Sequence, residues 1–95
     1  MAATEAEATR LIDDAKTRVT RFDFAPGAET GWHRHDMDYV IVAVTDCRMR
    51  LEEPGGASRE VLVAAGESYA RQQGVEHNVI NAGDTAMAFV EVELK

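Results

Sequence analysis

One cysteine, Cys47, stands in 95 residues, so no disulfide closes within the chain and a zinc centre built on several thiolates is excluded. A packed core position or an exposed thiol is the role left to it, and any metal has to be held by nitrogen and oxygen. Basic side chains are also scarce, 10 against 17 acidic ones for a net charge of -7, and no cluster of Lys or Arg is present. A phosphate backbone would be repelled, so nucleic acid is not an expected partner. No apolar run approaches the roughly 20 residues that span a bilayer, and the first residues lack the basic and apolar regions of a secretory signal. No membrane is expected, and the cytoplasm is the expected compartment. A Gly-rich phosphate loop, a Ser-His-Asp arrangement, internal repeats, low-complexity stretches and an interdomain linker are all missing too.

What is there is a balance of 45% apolar and 28% charged residues, the composition of a globular chain long enough for one core. Residues 1–16 carry good helix formers without a sustained apolar face. A short helix, a frayed arm or a strand over Thr9 to Ile12 all fit this arm. From Thr17 the pattern becomes β-branched and aromatic, TRVTRFDFA, and stops at Pro26-Gly27. Met37 to Val44 is a nearly continuous apolar run that predicts a strand buried on both faces. Cys47 to Glu52 and Glu60 to Ala64 flank the turn EEPGGAS and predict a hairpin. Short extended pieces follow at Ser68 to Arg71, His77 to Ile80 and Ala86 to Leu94, divided by Gly66, Gly74 and Asn81 to Asp84. Seven or eight short strands with regular turns predict an all-β sandwich or barrel over residues 17–95.

The chemistry concentrates on the only three histidines of the chain. Residues two apart on a strand share a face, so His33 and His35 present both imidazoles to one side, at a span that suits two bonds of about 2 Å to a single ion. His77 opens a later strand after the turn at Gly74. By the same parity Tyr39 shares the face of His33 and His35, while Asp38 points away unless a bulge re-aims it. Tyr69, Arg71 and Gln73 share one side of their own short strand, but no anchor says whether that side is the lumen.

With these residues in place, the chain resembles the cupin superfamily from Thr17 to Leu94. The glycine, five-residue gap and HxH of its first motif are matched by Gly27, His33 and His35. The glycines, histidine and asparagine of its second are matched by Gly66, Gly74, His77 and Asn81. The short GWHRH and GVEHN segments are similar to small cupins associated with β-alanine degradation. Three departures stand out: Tyr39 where the motif places an acidic ligand, Asp46 in place of a turn glycine, and Gln72 in place of a proline. The resemblance implies an all-β, single-domain cupin, a double-stranded β-helix or jelly-roll barrel, with His33, His35 and His77 as ligands of a divalent transition metal. Such a donor set suits Fe, Zn, Ni, Cu or Mn and resembles that of the thiol dioxygenases.

The expected function is therefore metal-assisted chemistry, O₂-dependent or hydrating, on a small polar or carboxylated molecule. Tyr39 would move a proton near the metal, and Arg71 and Trp32 would contact the substrate. The alternative is a barrel that binds a metal or small molecule and catalyses nothing. A homodimer is the expected assembly, because a barrel this small leaves apolar strand and free edges uncovered.

Overall fold

The computed structural model describes residues 4–95. Nine strands follow one another: β1 (Glu7–Asp13), β2 (Thr17–Phe24), β3 (His33–Arg34), β4 (Asp38–Ala43), β5 (Cys47–Glu52), β6 (Ser58–Val63), β7 (Ser68–Arg71), β8 (Glu76–Asn81) and β9 (Met87–Leu94). They form two antiparallel sheets, one ordered β1-β2-β9-β4-β7 and the other β3-β8-β5-β6. Among the described residues the only helical element is a three-residue turn, Pro54–Gly56, inside the β5–β6 hairpin. No helix among the described residues is long and apolar enough to cross a membrane.

The N-terminal segment resolves its three alternatives as a strand. β1 pairs with β2 from Glu7↔Asp23 to Asp13↔Arg18, with a bulge between Arg10 and Ile12, and forms an edge of the larger sheet. Residues 1–3 of the expected arm lie outside the described residues.

The core lies between the sheets, where inward positions of β2, β4, β5 and β9 bring Phe24, Ile41, Met49, Leu51, Met87 and Phe89 together. Phe89 centres an aromatic group, its ring 5.5 Å from Phe22 and 5.3 Å from Phe24. Each such ring contributes both its apolar area and an aromatic pair term of about 1 kcal/mol. Cys47 is buried there, its thiol directed at the carbonyls of Thr45 and Ala88, and burial pushes its pKa up. It is a packed residue.

β4 departs from the reading of a strand buried on both faces. Tyr39, Ile41 and Ala43 are buried, while Val40 and Val42 on the other side are half-buried and Val44 beyond them is exposed. The cause is architectural: the apolar run matches a strand covered on two sides, but only the inner side of this sheet meets the second sheet.

Candidate metal centre

His33 and His77 are register partners across β3 and β8, so their side chains leave the sheet on the same face. His35 lies one residue past β3, and its backbone is held on both sides: its N–H donates to the Val75 carbonyl at 2.8 Å and its carbonyl accepts from Gly74 N–H at 2.7 Å. Gly74 makes that turn at φ 96°, which a side chain would strain. The loop before His33 is pinned by Asn78, whose Oδ1 accepts from the Gly31 N–H at 2.9 Å and whose Nδ2 donates to Glu52 at 2.9 Å.

The result is convergence. His35 Nε2 lies 3.0 Å from His33 Nε2 and 3.0 Å from His77 Nε2, and the three residues form a potential metal-binding cluster. His33 Nδ1 is 2.9 Å from the Gly31 carbonyl oxygen, which only accepts, so Nδ1 carries the proton and Nε2 of the neutral ring presents a lone pair to His35. Any single proton on His35 Nε2 serves one of its two contacts and leaves the other without one. Protonating the rings instead is opposed by burial, which pushes His35 down to about 4 and His77 to about 3, helped by the neighbouring imidazoles. A cation among the three nitrogens satisfies all of them.

The spacing fits such an ion. Two bonds of about 2.1 Å at a right angle span about 3.0 Å, whereas at the tetrahedral angle they span about 3.4 Å. The observed separations match the right-angle case, which leaves coordination sites for other ligands.

Tyr39 is inside the barrel, 2% exposed, with its ring stacked on His35 at 3.8 Å and 17°. It sits on β4 of the other sheet, past a bend after β3, so its inward aim comes from β4 and not from one strand shared with His33 and His35. Its hydroxyl is buried without a hydrogen-bond partner among the described residues, and burial raises its pKa. Tyr39 lines an enclosed space of about 20 Å³ together with Thr30, His33, Tyr69, His77 and Glu91. Asp38 points away from the cluster; it is exposed and its Oδ1 accepts from the Gln73 N–H at 2.8 Å. Asn81 caps the turn into β9, donating to the Thr85 carbonyl at 2.9 Å and accepting from the Gly83 N–H at 3.0 Å.

The register supplies the anchor that parity lacked for β7: Tyr39↔Arg71 and Ile41↔Tyr69 are partners, so Tyr69 and Arg71 stand on the inner face. Trp32 does not join them. It is 55% exposed and lines a surface groove with Glu52, Glu53 and the Pro54–Gly56 turn, because the neighbour of an inward histidine faces outward.

Two buried acidic side chains beside the cluster escaped the sequence reading. Glu91 and Glu93 on β9 are both buried, and the Glu91 carboxyl lies 3.7 Å from His35 Nδ1, behind the ring nitrogen that faces the cluster. Burial, then the neighbouring Glu93, pushes Glu91 up to about 7. Glu93 is clamped by Arg18, whose Nε and Nη2 donate to it at 2.8 and 2.9 Å. The signal was their shared parity with Phe89, which reads as inward only once Phe89 is known to be core.

This barrel, with its histidine cluster between two antiparallel sheets, defines a class, and the family profile of the cupin domain matches residues 20–93. The chain belongs to the cupin family. It is 50% identical over 91 residues, 96% of this chain and 95% of the other, to the β-alanine degradation protein BauB of Pseudomonas aeruginosa. A crystal structure of a cupin domain from Bordetella pertussis Tohama I superposes with a TM-score of 0.95 at 49% identity, covering 100% of this chain and 98% of that one. The polyketide cyclase RemF of Streptomyces resistomycificus is similar at a TM-score of 0.74 and 25% identity, covering 97% of this chain and 66% of that one.

Proposed function

We propose that this cupin holds one divalent transition metal on His33, His35 and His77 and uses it to transform a small carboxylated molecule. The observation that carries the reading is the set of three Nε2 atoms brought to contact distance with too few protons to satisfy them. Fe, Zn, Ni, Cu and Mn all suit the donors. A bound ion of this kind supplies Lewis acidity and, with Fe, access to O₂ chemistry.

The chain's own residues do the rest. Tyr39, stacked on His35 with its hydroxyl free inside the barrel, is the group placed to hold or pass a proton. Arg71 projects from an inner-face position of β7 and is the half-buried cation without a carboxylate in ion-pair reach among the described residues, so it is free to orient a substrate carboxylate. The β-alanine degradation named for the Pseudomonas relative concerns a molecule that carries a carboxylate, which agrees with that role.

A barrel that binds metal and ligand without turnover is favoured by one feature, the absence of a carboxylate from the three-histidine cluster. Anaerobic loading with Fe(II) followed by O₂ uptake in the presence of β-alanine, thiols and keto acids separates the two. Substrate-dependent consumption supports the enzyme; none with any of them, in protein shown to hold one metal per chain, leaves the binding module. If the purified chain retains no transition metal after loading, both fall.

The proposal extends to a second copy of the chain over the outer face of the larger sheet. Val19, Val40, Val42, Val90 and Val92 lie side by side there, only half-buried, and Leu94 is exposed at the end of the row. Light scattering that gives the monomer mass at micromolar concentration removes the dimer.

A further inference from the structure

β6 and β7 are the outer strands of different sheets and do not pair with each other, so the barrel is open along a seam between them. A groove of about 480 Å³ runs in that seam. Leu51↔Arg59 and Tyr39↔Arg71 are register partners, and Leu51 and Tyr39 are core residues, so both arginines rise from inward-facing positions on opposite banks. Leu51, Val61 and Tyr69 line the groove between them. Arg59 is held by its Nε, 3.1 Å from Glu53, which leaves its Nη edge without a hydrogen bond among the described residues, and Arg71 has no such partner at all. Tyr69 lines both this groove and the enclosed space that His33 and His77 border, which places the seam beside the histidine cluster. In a chain of net charge -7 an anion is repelled over most of the surface, and a cleft lined by two guanidiniums is where it is drawn in.

We infer that the β6–β7 seam is the entrance and anchoring site for a small organic carboxylate, gripped by Arg71 from β7 and Arg59 from β6, with its hydrocarbon part on Leu51, Val61 and Tyr69. The seam suits a carboxylate better than a phosphate. Glu53 offsets part of the Arg59 charge and Glu67 adds a carboxylate to the lining, both of which disfavour a dianion more than a monoanion. Leu51, Val61 and Val63 supply apolar wall, and among the described residues no helix N-terminus or glycine loop adds donors. Planar bidentate pairing with a guanidinium supplies both attraction and orientation. The inference rests on the proposed function for what then happens to the ligand, since anchoring here aims the remainder of the molecule toward His77.

Calorimetric titration of chelator-treated, metal-free protein with propionate, propionamide and inorganic phosphate tests the site apart from the metal. Propionate saturates, propionamide does not bind, and phosphate binds at least about tenfold more weakly than propionate, a difference of about 1.4 kcal/mol. Arg71→Gln weakens propionate about tenfold or more and Arg59→Gln by a smaller factor, while Arg50→Gln, at an exposed position on β5, leaves it unchanged. Arg71→Lys keeps the charge and recovers part of the affinity, so a loss in Arg71→Gln is not read as misfolding. Equal weakening by Arg71→Gln and Arg50→Gln, equal binding of phosphate, or no saturation by propionate at millimolar concentration overturns the inference. His77→Ala retains propionate binding, so a chain that binds no metal but does bind propionate sinks the proposed function and leaves this site standing.

Discussion

The inward face of β9 changes character within four residues. At its start Met87 and Phe89 pack on Phe24 and close an apolar core; two positions on, Glu91 and Glu93 occupy the same face and are just as buried. The outward face runs the other way, with Val90 and Val92 half-exposed beside the valines of β2 and β4. One end of the barrel is thus held by hydrophobic burial, at about 25 cal/mol per Å² of apolar surface removed from water. The other end buries the imidazoles of His35 and His77, half-buries that of His33, and buries a tyrosine hydroxyl and two carboxyls, which cost free energy unless each is partnered. Arg18 partners Glu93, and Thr30, Asn78 and Gly31 order the loop before His33, but Tyr39 and the facing histidine nitrogens remain under-satisfied. The apolar end stabilises a polar end that is built for something other than stability.

That division is broken most sharply by changing one end at a time. His77→Ala removes one of three ligands, and the affinity for Ni(II) or Co(II), followed by competition with a chromophoric chelator, is expected to fall by more than the roughly 100-fold that bounds losses from outer partners. Its melting temperature without metal should hold or rise, because a desolvated polar ring has gone. Phe89→Ala does the reverse: the lost packing against Phe22 and Phe24 costs about 3–5 kcal/mol in denaturant unfolding, while metal affinity of the folded fraction stays close to that of the parent. If Phe89→Ala abolishes metal binding at temperatures where it is folded, the two ends are one cooperative site and the comparison fails.

Acid sharpens the contrast. His35 and His77 have folded pKa values of about 4 and about 3 against an ordinary 6.5, so the unfolded chain binds more protons between these limits. Their stabilising contribution is present above about pH 6.5 and is lost as the pH falls through that window. Unfolding of the metal-free protein by urea should show the midpoint dropping below pH 6, and His35→Gln should flatten that drop.

How much of this was legible follows the same divide. Period-two alternation and turn residues located the strands from Thr17 onward, including Ser68–Arg71 to the residue, because turns and β-branched runs are local signals. HxH spacing alone offered only a shared face for His33 and His35. The resemblance to the two cupin motifs joined His77 to them, and the structure brings the three together although His35 lies one residue past β3. What stayed hidden depends on which strand lies opposite. The inner face of β7 became readable only through its register with Tyr39, and β1 was ambiguous because an exposed edge strand carries no apolar period. Glu91 and Glu93 received no role from the sequence, because apolar–acidic alternation normally turns its valines inward. On β9 the register with β2 and β4 turns them outward instead.

Glu91 gives the smallest expected effect and the finest comparison. Its carboxyl backs the Nδ1 of His35, the position from which an acceptor fixes the ring so that Nε2 faces the cluster. Glu91→Gln keeps an acceptor there and should lower Co(II) affinity about tenfold, whereas Glu91→Leu keeps none and should approach about 100-fold. Stability moves oppositely. The folded pKa of about 7 lies above the ordinary 4.5, so Glu91 contributes stability that is full below about pH 4.5 and lost as the pH rises through 7. Glutamine has no such loss, so Glu91→Gln should melt above the parent at pH 8 and near it at pH 4.5. A variant that gains stability at pH 8 while losing metal affinity shows a buried carboxyl retained for the site at the fold's expense. One that loses both would make Glu91 a packing residue of the polar end.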